Sequence, residues 1–403
     1  MKSPWAGKRT ESYVPLLFVC CTVTFGCYFA AFMRLPVVPL YARTFGTSTS
    51  QIGVFNSAFY LMAGLLSFPM GMVSDRIGSK SVAAAGLIIL SAASFLLVFC
   101  DTFALVTLVY LVFGIGIAAF GPTMMAFVAE ISPPTHLGRS YGWYTTAIFC
   151  GMSFGPATGG FIAQRFDFVP VFVTAGAGLL AVFLMLIFLL PKRARSEAAA
   201  ANHTGRRASL AGLFRNRPLV ACWLVTLGAC FGLGMFLSFI PLHAQNQGLN
   251  AAQIGMVFFA QGIVNGLSRI PFGQLSDHVS NRSRLVTGGV VVMALSMAGL
   301  GASQNAATFM ASAALMGVGM GLAFTSIGAL IAESVPAGLR GMAMGGYNTC
   351  IYLGMMISSA FMGPVNQAMG FKMGFVLTAL VIALFAGLFF FIFRSAESAS
   401  ASR

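Results

Sequence analysis

Apolar residues in this chain come neither in strict alternation nor as a stripe against a polar face. They come in unbroken runs, each long enough to cross a hydrocarbon layer about 30 Å thick, which takes about 20 helical residues. Twelve such runs are read at 13–41, 51–73, 81–100, 103–128, 141–163 and 168–190, then at 218–244, 253–275, 285–302, 307–331, 342–365 and 371–393. Continuous rather than alternating apolar character predicts helices and not barrel strands. The expected fold is therefore an all-α polytopic membrane protein with twelve transmembrane helices. The first run lacks a signal-peptidase site behind a short apolar core, so it is read as a span.

The polar breaks between runs repeat. Pro69-Met-Gly-Met-Val-Ser-Asp75 returns as Pro271-Phe-Gly-Gln-Leu-Ser-Asp277, 202 residues on. Gln51-Ile52-Gly53 returns as Gln253-Ile254-Gly255 and Pro39-Leu40 as Pro241-Leu242 in the same register. Further on the register slips by one, matching Gly114 and Gly116 to Gly317 and Gly319, and Glu130 to Glu333. A period this long means duplication of a half-protein, not a solenoid. Residues 1–190 and 218–403 are thus expected to form two pseudo-symmetric six-helix bundles, joined by a linker at 191–217.

Composition agrees: 58% hydrophobic and 8% charged residues, with mean hydropathy +0.87, suit a bilayer and not water. The net charge of +14 is distributed as topology requires, not as a nucleic-acid surface. With the N-terminus inside, eighteen Lys and Arg fall on the inner side and three (Arg43, Arg165, Lys372) outside. The positive-inside rule then places both termini and both hinge copies in the cytoplasm, in a multi-pass cytoplasmic membrane protein. The basic linker reads as a tether whose charges set topology, with a regulatory segment at Arg206-Arg207-Ala208-Ser209 as the alternative. Eight cysteines sit in apolar runs without ligand spacing, and His136, His203, His243 and His278 are scattered. No metal, cofactor or enzyme activity is expected, and no phosphate-binding loop of the Gly-x-x-x-x-Gly-Lys type is present.

Gly71-Met-Val-Ser-Asp75-Arg76-Ile-Gly78-Ser-Lys80 resembles the hinge signature between helices two and three of the major facilitator superfamily. Gly151-Met-Ser-Phe-Gly155-Pro156-Ala-Thr-Gly159-Gly160 is similar to the helix-five signature of its twelve-helix drug and small-molecule efflux branch, and Leu35-Pro36-Val37-Val38-Pro39 resembles the helix-one signature. The resemblance covers essentially the whole chain. Gly71 and Gly78, with Gly273 in the second copy, allow close backbone approach, and Asp75, Arg76 and Lys80 set opposite charges where two halves meet and part. By resemblance, Asp75 faces Arg340 and Gly341, Asp277 faces Arg139, and Glu130 and Glu333 join these clusters as a conformational latch. The glycines Gly151, Gly155, Gly159 and Gly160 make a small-residue packing face, with Pro156 bending the helix and closing the cytoplasmic side or limiting leak.

Polar groups inside spans mark a binding cavity, because they are costly in hydrocarbon. Arg34 stands out in the outer third of the first span, and its repeat position is Phe236. Either it binds an anionic group of a substrate or it snorkels to outer headgroups. Three pairs at i and i+4 share helix faces: Asn56 with Tyr60, Gln261 with Asn265, and Asn348 with Tyr352. Tyr110 and Tyr144 are weaker candidates, and Arg269 is assigned to the inner charge cluster. Proton antiporters of this branch carry a membrane-embedded acid and a basic residue four positions before the helix-four Gly-x-Gly. Here Tyr110 precedes Gly114, and no Asp or Glu lies near mid-membrane. His243, at the outer end of the seventh span, is read as polar surface. The expected function is rocker-switch secondary transport of a small amphipathic or organic-anion substrate, directed outward, with a facilitative transporter or lipid translocator as the alternative. The implied partners are that substrate, the lipid bilayer and a candidate coupling proton, with no nucleic acid, in a monomeric protein.

Overall fold

The structure, a computed structural model, describes residues 13–133, 136–191, 212–279, 281–336 and 339–401. Every regular element among them is helical. The first half contains α1 (Tyr13–Met33), α2 (Val37–Thr44), α3 (Thr49–Ile77), α4 (Ser79–Leu96), α5 (Phe103–Ile131), α6 (Leu137–Phe166) and α7 (Phe168–Leu189). The second contains α8 (Arg217–Asn246), α9 (Ala251–His278), α10 (Arg282–Ala302), α11 (Ala306–Ser334) and α12 (Arg340–Ala401). Eleven described segments are long and apolar enough to cross a membrane. The first expected span is broken at Arg34, Leu35 and Pro36 into α1 and α2. The last two expected spans run together as α12, which leaves helical geometry only at Gly370, where φ is 79°. Most of the linker, 192–211, lies outside the described residues.

The repeated motifs have local structural jobs. Helices α2 and α8 both end in a glycine with positive φ, Gly46 at 80° and Gly248 at 82°. At each end the glycine N–H reaches the carbonyl three residues back, Arg43 at 3.1 Å and Gln245 at 2.9 Å. The following N–H reaches five back, from Thr47 to Ala42 and from Leu249 to Ala244, a pattern that satisfies the last carbonyls of a helix. Two residues later α3 and α9 start in matching capping boxes. Ser48 and Gln51 exchange side-chain to backbone bonds in the first, and Asn250 and Gln253 do so in the second. The repeated glutamine is therefore a helix start signal.

The paired glycines of α5 and α11 pack each half internally. A Cβ on Gly114 would strike Met62 and the backbone of Phe59 and Ala63 on α3, and one on Gly317 would strike Val264 and the backbone of Gln261 and Asn265 on α9. Gly116 and Gly319 do the same against α4 and α10, facing Gly86 and Gly289. Each Gly-x-Gly thus lets one helix touch two neighbours at backbone distance, the close approach on which membrane helix association depends.

The two halves meet along two seams, α3 against α12 and α6 against α9. Both seams are tight at the end bearing Ser50. There Gln367 accepts hydrogen bonds from the Ser50 backbone N–H (3.2 Å) and hydroxyl (2.7 Å). A Cβ on Gly53 would run into the Ser359 carbonyl, Phe239 and Gly363, and one on its repeat mate Gly255 into the Pro156 carbonyl and Ala157. Toward the hinge end the seams loosen. A Cβ on Gly266 would find only Phe149, at 3.8 Å, and on Gly71, Gly142 and Gly345 nothing within 4 Å. The molecule is closed at the Ser50 end and open at the end carrying Asp75.

Candidate substrate-binding site

Arg34 occupies the break between α1 and α2. Pro36 has no N–H to give to the Phe32 carbonyl, which instead accepts from Leu35 (3.0 Å), and the Arg34 carbonyl accepts from Val37 (3.0 Å) and Val38 (2.9 Å) as α2 begins. The side chain does not reach for headgroups. It is 5% exposed, and its guanidinium carbon lies 3.1 Å from the centroid of Phe113, 5.1 Å from that of Tyr110 and 5.9 Å from that of Phe59. Its Nε is buried without a hydrogen-bond partner, as is the Tyr110 hydroxyl. Tyr60 stands within electrostatic reach, and among the described residues no carboxylate pairs with Arg34.

This cluster exists in one half only. At the repeat positions of Arg34 and Asn56 the second half carries Phe236 and Phe258, whose rings pack 5.0 Å apart. The scaffold is duplicated and the charged site is not. Asn56 is buried, its amide donating to the Ile52 carbonyl at 3.0 Å.

The other expected cavity residues divide. Gln261 donates to the Met320 sulfur at 3.0 Å, inside the α9–α11 contact. Asn265 accepts from Arg269 Nε at 3.4 Å. Tyr352 packs on Gly64 in the α3–α12 seam, whereas Asn348 is exposed. Tyr144 is buried and donates to the Gly121 carbonyl at 3.2 Å. His243, expected at the polar surface, is instead buried among Phe309, Phe371 and Phe375 with Nε2 3.1 Å from the Leu300 carbonyl.

Two long, discontinuous helical halves, sealed at one end and parted at the other around a buried charge, have counterparts among known proteins. Residues 20–251 and 222–403 match the model of the Major Facilitator Superfamily. The chain belongs to that superfamily. An uncharacterized MFS-type transporter of Methanocaldococcus jannaschii is 24% identical over 88% of this chain and 92% of its own. The quinolone resistance protein NorA of Staphylococcus aureus is 25% identical over 59% of this chain and 61% of its own. Among solved structures, a bacterial homolog of the human lysosomal transporter Spinster superposes with TM-scores of 0.76 in its inward-facing occupied form and 0.78 in its inward-facing unoccupied form, at 17% and 16% identity. Those superpositions cover 94% and 96% of this chain, and 96% and 98% of theirs.

In this superfamily member, contacts within one half are seen for several charges at and beside the hinge signature. Lys80 Nζ donates to the Ile187 carbonyl at 2.7 Å and to that of Leu190, capping the end of α7 where a cation is favoured. Its repeat mate Arg282 pairs with Glu333, and Glu130 accepts from Ser79 at 3.1 Å. Arg340 Nε donates to the Ala332 carbonyl at the end of α11 (3.0 Å). Asp75, Arg76 and Arg139 are exposed. The side chain of Asp277 and the surroundings of Gly341 lie outside the description.

Two expectations need correction. Arg269 is not in the inner charge cluster, because its guanidinium carbon lies 4.0 Å from the ring centroid of Phe149, on α6 of the other half. Pro156 does not close the hinge end. It sits about 28 Å along α6 from Leu137 at 1.5 Å per residue, and its carbonyl abuts Gly255 at the Ser50 end. Of the helix-five glycines, Gly151, Gly155 and Gly159 face the α1 backbone at Phe25, Phe29 and Met33, and Gly160 faces Ala251 across the seam. Sequence reading missed Phe59 and Phe113, since an aromatic among so many carries no local mark. The break in repeat symmetry at Arg34 was the usable signal.

Proposed function

We propose that this protein moves a small organic anion, or an amphipathic molecule carrying one anionic group, outward across the cytoplasmic membrane by rocking two six-helix bundles about the site at Arg34. The observation that carries this reading is a buried arginine with no counter-ion among the described residues. Burying a charge costs several kcal/mol even after relaxation, and a desolvated cation–π contact returns about 2 kcal/mol or somewhat more. The site is one negative charge short, and a substrate anion supplies it.

Twelve spans follow if α12 is counted as two helices joined at Gly370. The Lys and Arg distribution favours the hinge end as cytoplasmic, which makes the described conformation inward-facing, like the Spinster homolog it superposes on. When the hinge end closes, Asp75 comes to the start of α12 near Arg340, an anion at a helix N-terminus. Outward direction draws on the helix-five glycines and on the named resistance role of NorA. None of the nine Asp and Glu residues lies near mid-membrane, so the ordinary buried carboxylate proton carrier is missing. That observation favours a facilitative mode, driven by the substrate's own gradient, as the second reading.

The test is ligand-induced thermal stabilisation of purified wild type and Arg34→Gln with benzoate and with an organic cation. A charge-assisted hydrogen bond contributes about 1.5–3 kcal/mol, so benzoate affinity is expected to drop about 10- to 150-fold in the mutant. Equal stabilisation of both proteins by the cation, with no response to benzoate, overturns the reading.

A further inference from the structure

We infer that Arg269, with Asn265, Tyr347 and Phe149, forms a second oxyanion subsite between the halves on the hinge side of Arg34, where an anionic group docks before it reaches Arg34. The inference builds on the anion reading above and adds a separate site to it. Like Arg34, Arg269 is a cation within a span that duplication does not account for: its repeat position is Ser67, whose hydroxyl is spent on the Ala63 carbonyl of its own helix. The side chain is half-buried and makes no ion pair among the described residues. Its one hydrogen bond is the long 3.4 Å contact to Asn265 on its own helix.

The guanidinium lies against Phe149 of the opposite half, and Tyr347 of α12 is within electrostatic reach. A planar guanidinium stacked on one face keeps its in-plane N–H groups free for a carboxylate, sulfonate or phosphate. Arg269 also lies where the α6–α9 seam ends, since a Cβ on Gly273, one turn on, would meet only Thr325 of its own half. The aromatic partner Phe149 is ten residues before Gly159, which packs on Met33 beside Arg34. At 1.5 Å per residue the two levels are about 15 Å apart. A small anion cannot span that, so the arginines act in succession and not as one clamp.

Benzoate binding is measured by calorimetry on wild type, Arg34→Gln, Arg269→Gln and the double variant, with melting in the absence of ligand confirming that each is folded. Arg34→Gln is expected to retain a weak site that the double variant loses, and Arg269→Gln to lose that weak site while leaving the affinity of the tighter one within about twofold. Arg269→Lys, which keeps the charge but not the planar stack, should recover only part. Phosphatidylglycerol added to the micelles separates the sources. Displacement of the weak site by the lipid marks a headgroup as its natural occupant, and indifference marks a soluble anion. If Arg34→Gln alone abolishes all binding, the second subsite is refuted while the Arg34 reading stands. If Arg269→Gln alone does so and Arg34→Gln binds normally, the Arg34 reading fails and the Arg269 site remains. If wild type binds no benzoate, both fall.

Discussion

Gly53→Ala is expected to push the protein out of the described conformation without damaging either half. The added methyl falls on the Ser359 carbonyl, with the Phe239 ring at 3.2 Å and the Gly363 Cα at 3.3 Å. Two of these obstacles are main chain of α12, so the clash is relieved by separating the halves at the Ser50 end. Overpacking of this kind costs about 1–3 kcal/mol, and under the rocking proposal it acts on one state only, because α3 and α12 would part there when that end opens. At about 1.4 kcal/mol per tenfold, the equilibrium moves about 5- to 150-fold. A conformation held by roughly 99 molecules in 100 would fall to roughly 95 or as few as 40. Gly255→Ala, meeting the Pro156 carbonyl on the other seam, should act in the same direction.

The assay is distance measurement by spin labels, with the eight free cysteines replaced first. Labels at Thr44 and Ala368 report the Ser50 end, and labels at Ile77 and Gly345 the hinge end. The first pair should lengthen and the second shorten. Gly114→Ala is the control, since its methyl strikes Met62 and Phe59 within one half and should lower stability without redistributing the distances. Unchanged distances in Gly53→Ala, or the same shift in the control, refute the argument.

Two other outcomes are expected. Gly159→Ala places a methyl on the Met33 carbonyl within the first half, and should lower stability by about 1–3 kcal/mol, read as a drop in melting temperature with no change in label distances. Asp75→Asn removes a charge that is exposed here and, under the latch proposal, used only when the hinge end closes. It should leave benzoate affinity within about twofold while slowing turnover in proteoliposomes at least about tenfold, as loss of a contact of about 1.4 kcal/mol would do. Full activity in that variant would sink the latch.

The repeat was legible because duplication leaves identity in place even where side chains have diverged. The 202-residue register linked Gly53 to Gly255 and Gln51 to Gln253, yet nothing local said that the glutamines cap helices and the glycines seal opposite seams. The hinge motif was equally visible. Its charges were expected to meet across the halves, but Lys80, Arg282, Glu130 and Arg340 are engaged within their own halves. Which partner a charge takes depends on the conformation, and a motif carries no conformation.

By itself the sequence determined a membrane solvent, helical spans, two related halves and an unduplicated arginine, because each follows from composition, run length or register along one dimension. Only the tertiary structure decided that Arg34 is enclosed by Phe59, Tyr110 and Phe113, that Arg269 lies on Phe149 across the seam, and that the Ser50 end is the closed one. Those facts rest on contacts between segments tens to hundreds of residues apart. Burial and pairing are properties of what surrounds a side chain, and hydropathy along the chain does not say which helix will do the surrounding.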